Sequence, residues 1–99
     1  MIIVAGTLQF DASQIDAVVP HILDVMKETV LEKGCTCYRF ARSLETDGLF
    51  QIYEEWDSEE DLNRHLDTDH IALFLKALSD FTVLEQDIKV LDAKVLRSL

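Results

Sequence analysis

Apolar and polar positions alternate from Ile2 to Phe10. Ile2, Val4, Leu8 and Phe10 fall on one side, Ile3, Ala5, Thr7 and Gln9 on the other. A period of two predicts a strand, and apolar residues on both sides near its start predict cover on both faces. Gly6 lies inside it, where a glycine marks a bulge or the close approach of another element. After the turn Asp11-Ala12-Ser13 the period changes. Ile15, Val18, Val19, Ile22, Met26 and Val30 recur at spacings of three and four and predict a helix to about Lys33. Pro20 either bends this helix near its second turn or sits in the first turn of a helix that starts near Val19. Gly34 stops it.

Alternation resumes at Cys35. Thr36, Tyr38, Phe40 and Arg42 share one face of a second strand, and Cys35, Cys37, Arg39 and Ala41 share the other. A turn over Glu45-Thr46-Asp47-Gly48 leads into a third strand, Leu49 to Trp56, so the two form a hairpin. Phe50, Ile52, Glu54 and Trp56 lie on one of its faces, Leu49, Gln51, Tyr53 and Glu55 on the other. Ser58 opens a second helix with Asp61 in the capping-box position, and Leu62, His65 and Leu66 form its inward stripe. Asp67-Thr68-Asp69 breaks the helix. A short helix follows from about His70 to Leu78, with Phe74, Leu75 and Leu78 inward, and a fourth strand runs from Asp87 to Leu96.

The order is β-α-β-β-α-β over one domain, residues 1–99. That order predicts an α+β, ferredoxin-like fold, with an antiparallel sheet and helices on one face. The helices cover one face only, yet apolar and aromatic residues occupy both. The second face therefore calls for another copy of the chain, and a homodimer is expected.

Composition narrows the possible functions. The chain has 99 residues, 48% of them hydrophobic, and carries 19 acidic against 9 basic side chains for a formal net charge of −10. An acidic surface repels phosphate backbones and anionic lipids, so neither nucleic acid nor a membrane surface is an expected partner. No signal segment precedes Ile2 and no apolar run is long enough to span a bilayer, so a cytoplasmic location is expected.

The candidate chemistry gathers between Phe50 and Phe74, which hold the single Trp and two of the three His. Imidazole suits proton transfer near neutral pH, which makes His65 and His70 candidate proton acceptors. They are five positions apart, so they meet only if Asp67-Thr68-Asp69 bends the path. Glu54 alternates with Phe50 and Ile52; if that face is the covered one, it is a buried or half-buried carboxylate that must be paired or protonated, with Arg39 and Arg42 available as partners on the neighbouring strand. Cys35 and Cys37 lack a second pair, and the two His lack zinc-type spacing and an evident third ligand, so no metal is expected. The two Cys read as small buried side chains and His21 as a surface or structural residue. There is no nucleotide-binding glycine pattern and no nucleophile elbow.

Three motifs in register carry a resemblance: Glu32-Lys33-Gly34-Cys35 with Tyr38, then Tyr53-Glu54 with Trp56, then His65-Leu66 with His70. On these the chain resembles the antibiotic biosynthesis monooxygenase (ABM) domain family. The resemblance implies a dimeric α+β barrel with a pocket between sheet and helices in each subunit. It also implies cofactor-independent oxidation of a small aromatic quinol or phenol by O2, with the substrate as electron donor. Carried onto this chain, Trp56, Tyr38, Phe40, Tyr53 and Phe74 are substrate-binding wall candidates. His65, His70 and Glu54 are the catalytic candidates, with Glu54 as orienting partner. A haem-degrading branch of the same fold requires an Asn on the first strand, a Trp in the second helix and a later His. Here Gly6 and Thr7, His65, and Lys76 and Ala77 stand there instead, so that chemistry is not expected. A non-catalytic binding module and an isomerase or lyase for a small polar metabolite are the alternatives; the latter would need a charged pocket lining.

Overall fold

The computed structural model describes all 99 residues. Strand β1 (Ile2–Phe10) leads through a single 3₁₀ turn (Ala12–Gln14) into helix α1 (Ile15–Thr29). Strands β2 (Cys35–Arg42) and β3 (Leu49–Trp56), helices α2 (Glu59–Leu66) and α3 (Asp69–Leu78), and strand β4 (Val83–Asp92) follow. The four strands pair antiparallel in the order β2-β3-β1-β4, the ferredoxin-like arrangement expected from the element order. No helix is long and apolar enough to cross a membrane.

The register decides which side chains share a face. Val4 lies opposite Glu54 on one side and Val90 on the other, and Tyr38 lies opposite Glu54 from β2. These residues therefore point together, toward the helices. Phe10, Phe50, Ile52 and Trp56 join them in the core, against Val18, Ile22 and Val25 of α1 and Leu62, Ile71 and Phe74 of α2 and α3. Phe10 is fully buried and meets Phe50 edge-on at 6.0 Å. Replacing such a ring with alanine costs about 3–5 kcal/mol, a large part of a small domain's stability.

Several boundaries differ from those the pattern predicts. Helix α1 ends at Thr29, and Glu32 lies in the loop that follows. Thr29 fills the inward position one turn after Val25, and Val30, expected inward, is exposed. Pro20 sits inside the regular helix, and its missing N–H falls in the second turn. Strand β4 starts at Val83, before the expected Asp87, and ends at Asp92. Its charged positions Glu85 and Asp87 hide the alternation, but backbone pairing with β1 extends it in that direction. Leu66 and Leu75 are exposed, while Ile71 takes the inward place on α3.

Gly6 is a point of close approach, as its position mid-strand suggests. A Cβ there would collide with the carbonyl of Asp87 and the Cα of Ile88 on β4. Gly34 has φ 82° and closes the turn after α1, and a side chain there would run into the Asp61 carboxylate of α2. The helices lie over β1, β3 and β2. All of β4 is exposed, as are Tyr53 and Leu91 on the outer face.

Candidate functional site

Three local devices build the site. The first is the loop after α1, where Glu32 N–H donates to Thr29 O at 3.0 Å and Asp57 N–H donates to Gly34 O at 2.9 Å. These bonds tie Glu32 to the end of β3. The second is the cap of α2. Ser58 Oγ accepts from the Asp61 N–H at 3.2 Å and donates to Asp61 Oδ2 at 3.0 Å. Asp61 also takes Arg64 Nη1 at 2.7 Å, so its carboxyl is held below its ordinary range by Arg64 first and Ser58 second. The third is the bend itself. Thr68 Oγ1 donates to His65 O at 2.7 Å and accepts from Ile71 N–H at 3.4 Å, closing α2 and capping α3 at once.

That bend brings His65 and His70 together, their ring centroids 6.0 Å apart. Both turn to one atom. Glu32 Oε2 lies 2.6 Å from His65 Nδ1 and 2.8 Å from His70 Nε2. A carboxylate oxygen can only accept, so each of these nitrogens carries its hydrogen, and in its neutral form His65 keeps its lone pair on Nε2. The His65 ring is packed 4.8 Å from Trp56 and 5.4 Å from Tyr38. Burial pushes His65 below the ordinary histidine range, Glu32 opposes that, and His70 adds to it.

Beside His65 lies an apolar cavity of about 440 Å³ between the sheet and helices α2 and α3. Of its 18 lining residues, 14 are hydrophobic, among them Tyr38, Phe40 and Phe74, and none is Lys or Arg. Glu54 reaches it from the floor. Its Oε1 accepts Trp56 Nε1–H at 2.9 Å, the one hydrogen bond its carboxyl makes. Arg39 and Arg42, the partners expected from sequence, do not pair with it. Arg39 lies opposite Tyr53, on the other face of the sheet, and Arg42 lies opposite Phe50 at the far end of the ladder. Without a cation, burial dominates and pushes Glu54 up to about 7, against the pull of the Trp56 N–H and with the Glu32 charge adding to the rise. Burial and the same two carboxylates raise Tyr38, whose hydroxyl stays protonated. Burial raises the Cys35 thiol to about 11, so it is no ready nucleophile.

The structure therefore brings His65, Glu54, Tyr38, Phe40 and Phe74 to one cavity, with Trp56 packed behind His65. It places His70 on the far side of Glu32, against a polar groove. Tyr53 is not at the cavity. It lies on the opposite sheet face, exposed, with its hydroxyl donating to Glu55 at 2.9 Å. Alternation along β3 requires this once Glu54 and Trp56 face the helices. His21 packs edge-on against Phe81 at 5.9 Å, on the surface. Sequence reasoning did not assign a role to Glu32. The one signal for it was its place beside Gly34 in the first of the three motifs.

Glu32, His65 and His70 also form the one cluster whose donor atoms, all within 4.8 Å of one another, could hold a metal ion. A metal would need the lone pairs of both nitrogens, whereas the hydrogen-bonded arrangement uses both N–H groups on a single oxygen.

A family model described as antibiotic biosynthesis monooxygenase matches residues 1–77. No curated protein matches the sequence. Among solved structures, a candidate antibiotic biosynthesis monooxygenase from Deinococcus radiodurans is similar at 25% identity and TM-score 0.91, over 100% of this chain and 98% of that one. A second such candidate, from Caulobacter crescentus CB15, is 26% identical over 95% of this chain and 90% of its own, with TM-score 0.87. A conserved protein from Methanosarcina mazei Go1 is 26% identical, covering 94% and 92% of the two chains, with TM-score 0.86.

Proposed function

We propose, from the premise that this chain belongs to the antibiotic biosynthesis monooxygenase family, that it oxidises a small neutral aromatic quinol or phenol with O2 and without a cofactor. One observation carries the reading. An imidazole held at Nδ1 by a carboxylate, and so carrying its free lone pair on Nε2 when neutral, lines an apolar cavity that holds no Lys or Arg.

The chemistry asks little else of the protein. His65 Nε2 takes the hydroxyl proton of the bound substrate. The resulting phenolate, now electron-rich, passes one electron to O2, and the radical pair recombines as a carbon–oxygen bond. The O–O bond then breaks. One oxygen stays on the ring and the other leaves as water, so a hydroquinone plus O2 gives a hydroxyquinone plus H2O, with the substrate supplying all four electrons. Tyr38, Phe40 and Phe74 hold the flat ring, and the apolar walls exclude water from the radical pair. Neutral Glu54 donates a hydrogen bond from the floor to a substrate oxygen. An isomerase for a polar metabolite would need predominantly charged walls, whereas 14 of the 18 residues lining this cavity are hydrophobic.

The functional unit is a homodimer. The exposed outer face, with Tyr53 and Leu91, and the bare strand β4 are the surfaces another copy would cover. Light scattering at micromolar concentration gives twice the chain mass on this reading and the chain mass if it is wrong.

The test of activity is O2 uptake with a panel of hydroquinones, with product identified by mass. The protein is expected to exceed the uncatalysed rate, and His65→Ala to lose about 10²–10⁴-fold in kcat. Absence of turnover across all ring sizes that fit the cavity would overturn the assignment. A His65→Ala enzyme with unchanged kcat would remove His65 as the base. Tight binding of the rings seen as Trp56 quenching, with no turnover, would instead make this a ligand-binding module.

A further inference from the structure

We propose that His70 exchanges positive charge with His65 across Glu32 Oε2, so that a proton taken up in the cavity is matched by one released from His70 into the groove between α1 and α3. This rests on His65 as the base in the reading above.

The three side chains run from inside to outside. Side-chain exposure rises from 2% at His65 through 14% at Glu32 to 22% at His70. His70 lines a second space, an open groove of about 520 Å³, together with His21, Asp24, Lys27, Glu28 and Asp69. The apolar cavity and the open groove are thus joined by two hydrogen bonds that meet on one oxygen.

That geometry is compatible with one shared charge. With both N–H groups donating, an anionic Glu32 can balance one imidazolium. On this proposal the cation at rest is the more exposed ring, His70, and buried His65 is neutral. When His65 Nε2 accepts the substrate proton, two imidazolium rings would share one carboxylate. His70 then gives its Nδ1 proton to groove water and keeps Nε2–H on Glu32. One proton has entered and one has left, and the net charge of the three groups is unchanged while the substrate is an anion. When His65 returns its proton to the departing oxygen, His70 takes one back from water. No hydrogen bond breaks in either direction.

The surroundings suit the roles. Facing His70 are His21, Asp24, Lys27 and Glu28 from α1 and Asp69 beside it on α3, three carboxylates against two basic side chains. Facing His65 are Tyr38 and Glu54 from the sheet, with no cation among the cavity walls. Charge on His70 also pushes His65 down, a smaller effect than burial and than the opposing pull of Glu32.

His70 is therefore a positioning residue that acts through Glu32, and two variants of the full chain test it. His70→Gln can still donate an amide N–H to Glu32 but cannot carry charge. Its kcat for a hydroquinone that the wild type turns over should fall about tenfold, less than the roughly 10²–10⁴-fold for losing the base. In ¹⁵N NMR of the substrate-free protein, His65 should titrate at higher pH than in the wild type, because a positive neighbour is gone. His70→Ala opens space on the groove, so added imidazole should restore most of its lost rate. Unchanged kcat and an unmoved His65 titration in His70→Gln would overturn the proposal, as would a rate loss in His70→Ala that imidazole does not restore. If the wild type turns over no hydroquinone, the functional reading fails, while the NMR comparison still decides whether the two rings share one charge.

Discussion

Glu54 gives the sharpest quantitative test, because it is a buried carboxyl with no cationic partner. In the unfolded chain it ionises near 4.5, and in the folded protein burial holds it up to about 7. Below the lower value both states carry the proton and the group costs nothing. Between the two values the unfolded chain loses its proton while the native state keeps it, so stability falls as pH rises. Above the upper value the penalty is complete. A rise from 4.5 to about 7, at about 1.4 kcal/mol for each pH unit, amounts to about 3 kcal/mol.

Glu54→Gln isolates that penalty. The amide has nearly the same shape, and its oxygen can still accept from Trp56 Nε1. The variant and the wild type should be about equally stable at pH 4.5. At pH 8 the variant should be more stable by about 3 kcal/mol, or roughly 10–20 °C in Tm for a domain of this size. Urea denaturation at constant ionic strength across that range measures the difference. Self-repulsion in a chain of net charge −10 also erodes stability as pH rises, but both proteins share it apart from the one charge. Parallel stability curves for the two proteins would refute the argument and show that Glu54 is solvated or paired in solution.

Thr29 is fully buried, and its Oγ1 lies near the Tyr38 hydroxyl without a well-aligned hydrogen bond, so Thr29→Val should stabilise the protein by about 1 kcal/mol in urea denaturation; a loss would show that the Tyr38 contact is a bond. Gly34→Ala forces a side chain into positive φ and against Asp61, and should cost about 1–3 kcal/mol and loosen Glu32; a neutral result would mean that the loop adapts. Dialysis against EDTA should leave the oxidation rate unchanged, since the Glu32 oxygen already binds both imidazoles; loss of rate restored by a divalent metal would make that cluster a metal site.

Most of the fold is written in short-range patterns. The alternation of β1, β2 and β3 fixed which side chains share a face, and the Ser58 cap and the Asp67-Thr68-Asp69 break appear where the sequence puts them. Where the reading slipped, longer-range effects prevailed. The start of β4 is set by pairing with β1 rather than by its own polar residues, and the exposure of Leu66 and Leu75 depends on where the helices sit over the sheet. In the site, the two His required the Asp67-Thr68-Asp69 bend to meet, and it is present. Glu32 was harder to see. It lies more than thirty residues from both imidazoles, beyond the end of a helix whose periodicity says nothing about it. Glu54 was legible as buried but not as unpaired by arginine, because strand pairing fixes Arg39 on the wrong face.

Charge connects the site to turnover on the proposed reaction. The substrate must be neutral to enter, because the cavity walls offer no cation and the whole chain is strongly acidic. The phenolate formed inside is an anion in an unsuitable place, which raises its energy and favours electron loss to O2. A hydroxyquinone product is a stronger acid than the hydroquinone it came from, and at neutral pH it leaves as an anion. The features that admit the substrate therefore also expel the product. Glu54 sharpens the distinction: it can donate to a neutral guest while protonated, and it repels an anion once ionised. A guanidinium placed on the cavity wall, as in Ile52→Arg, should on this argument tighten binding of the hydroxyquinone and make its release limit turnover. Product inhibition no stronger than in the wild type, in a folded variant, would show that charge does not govern release.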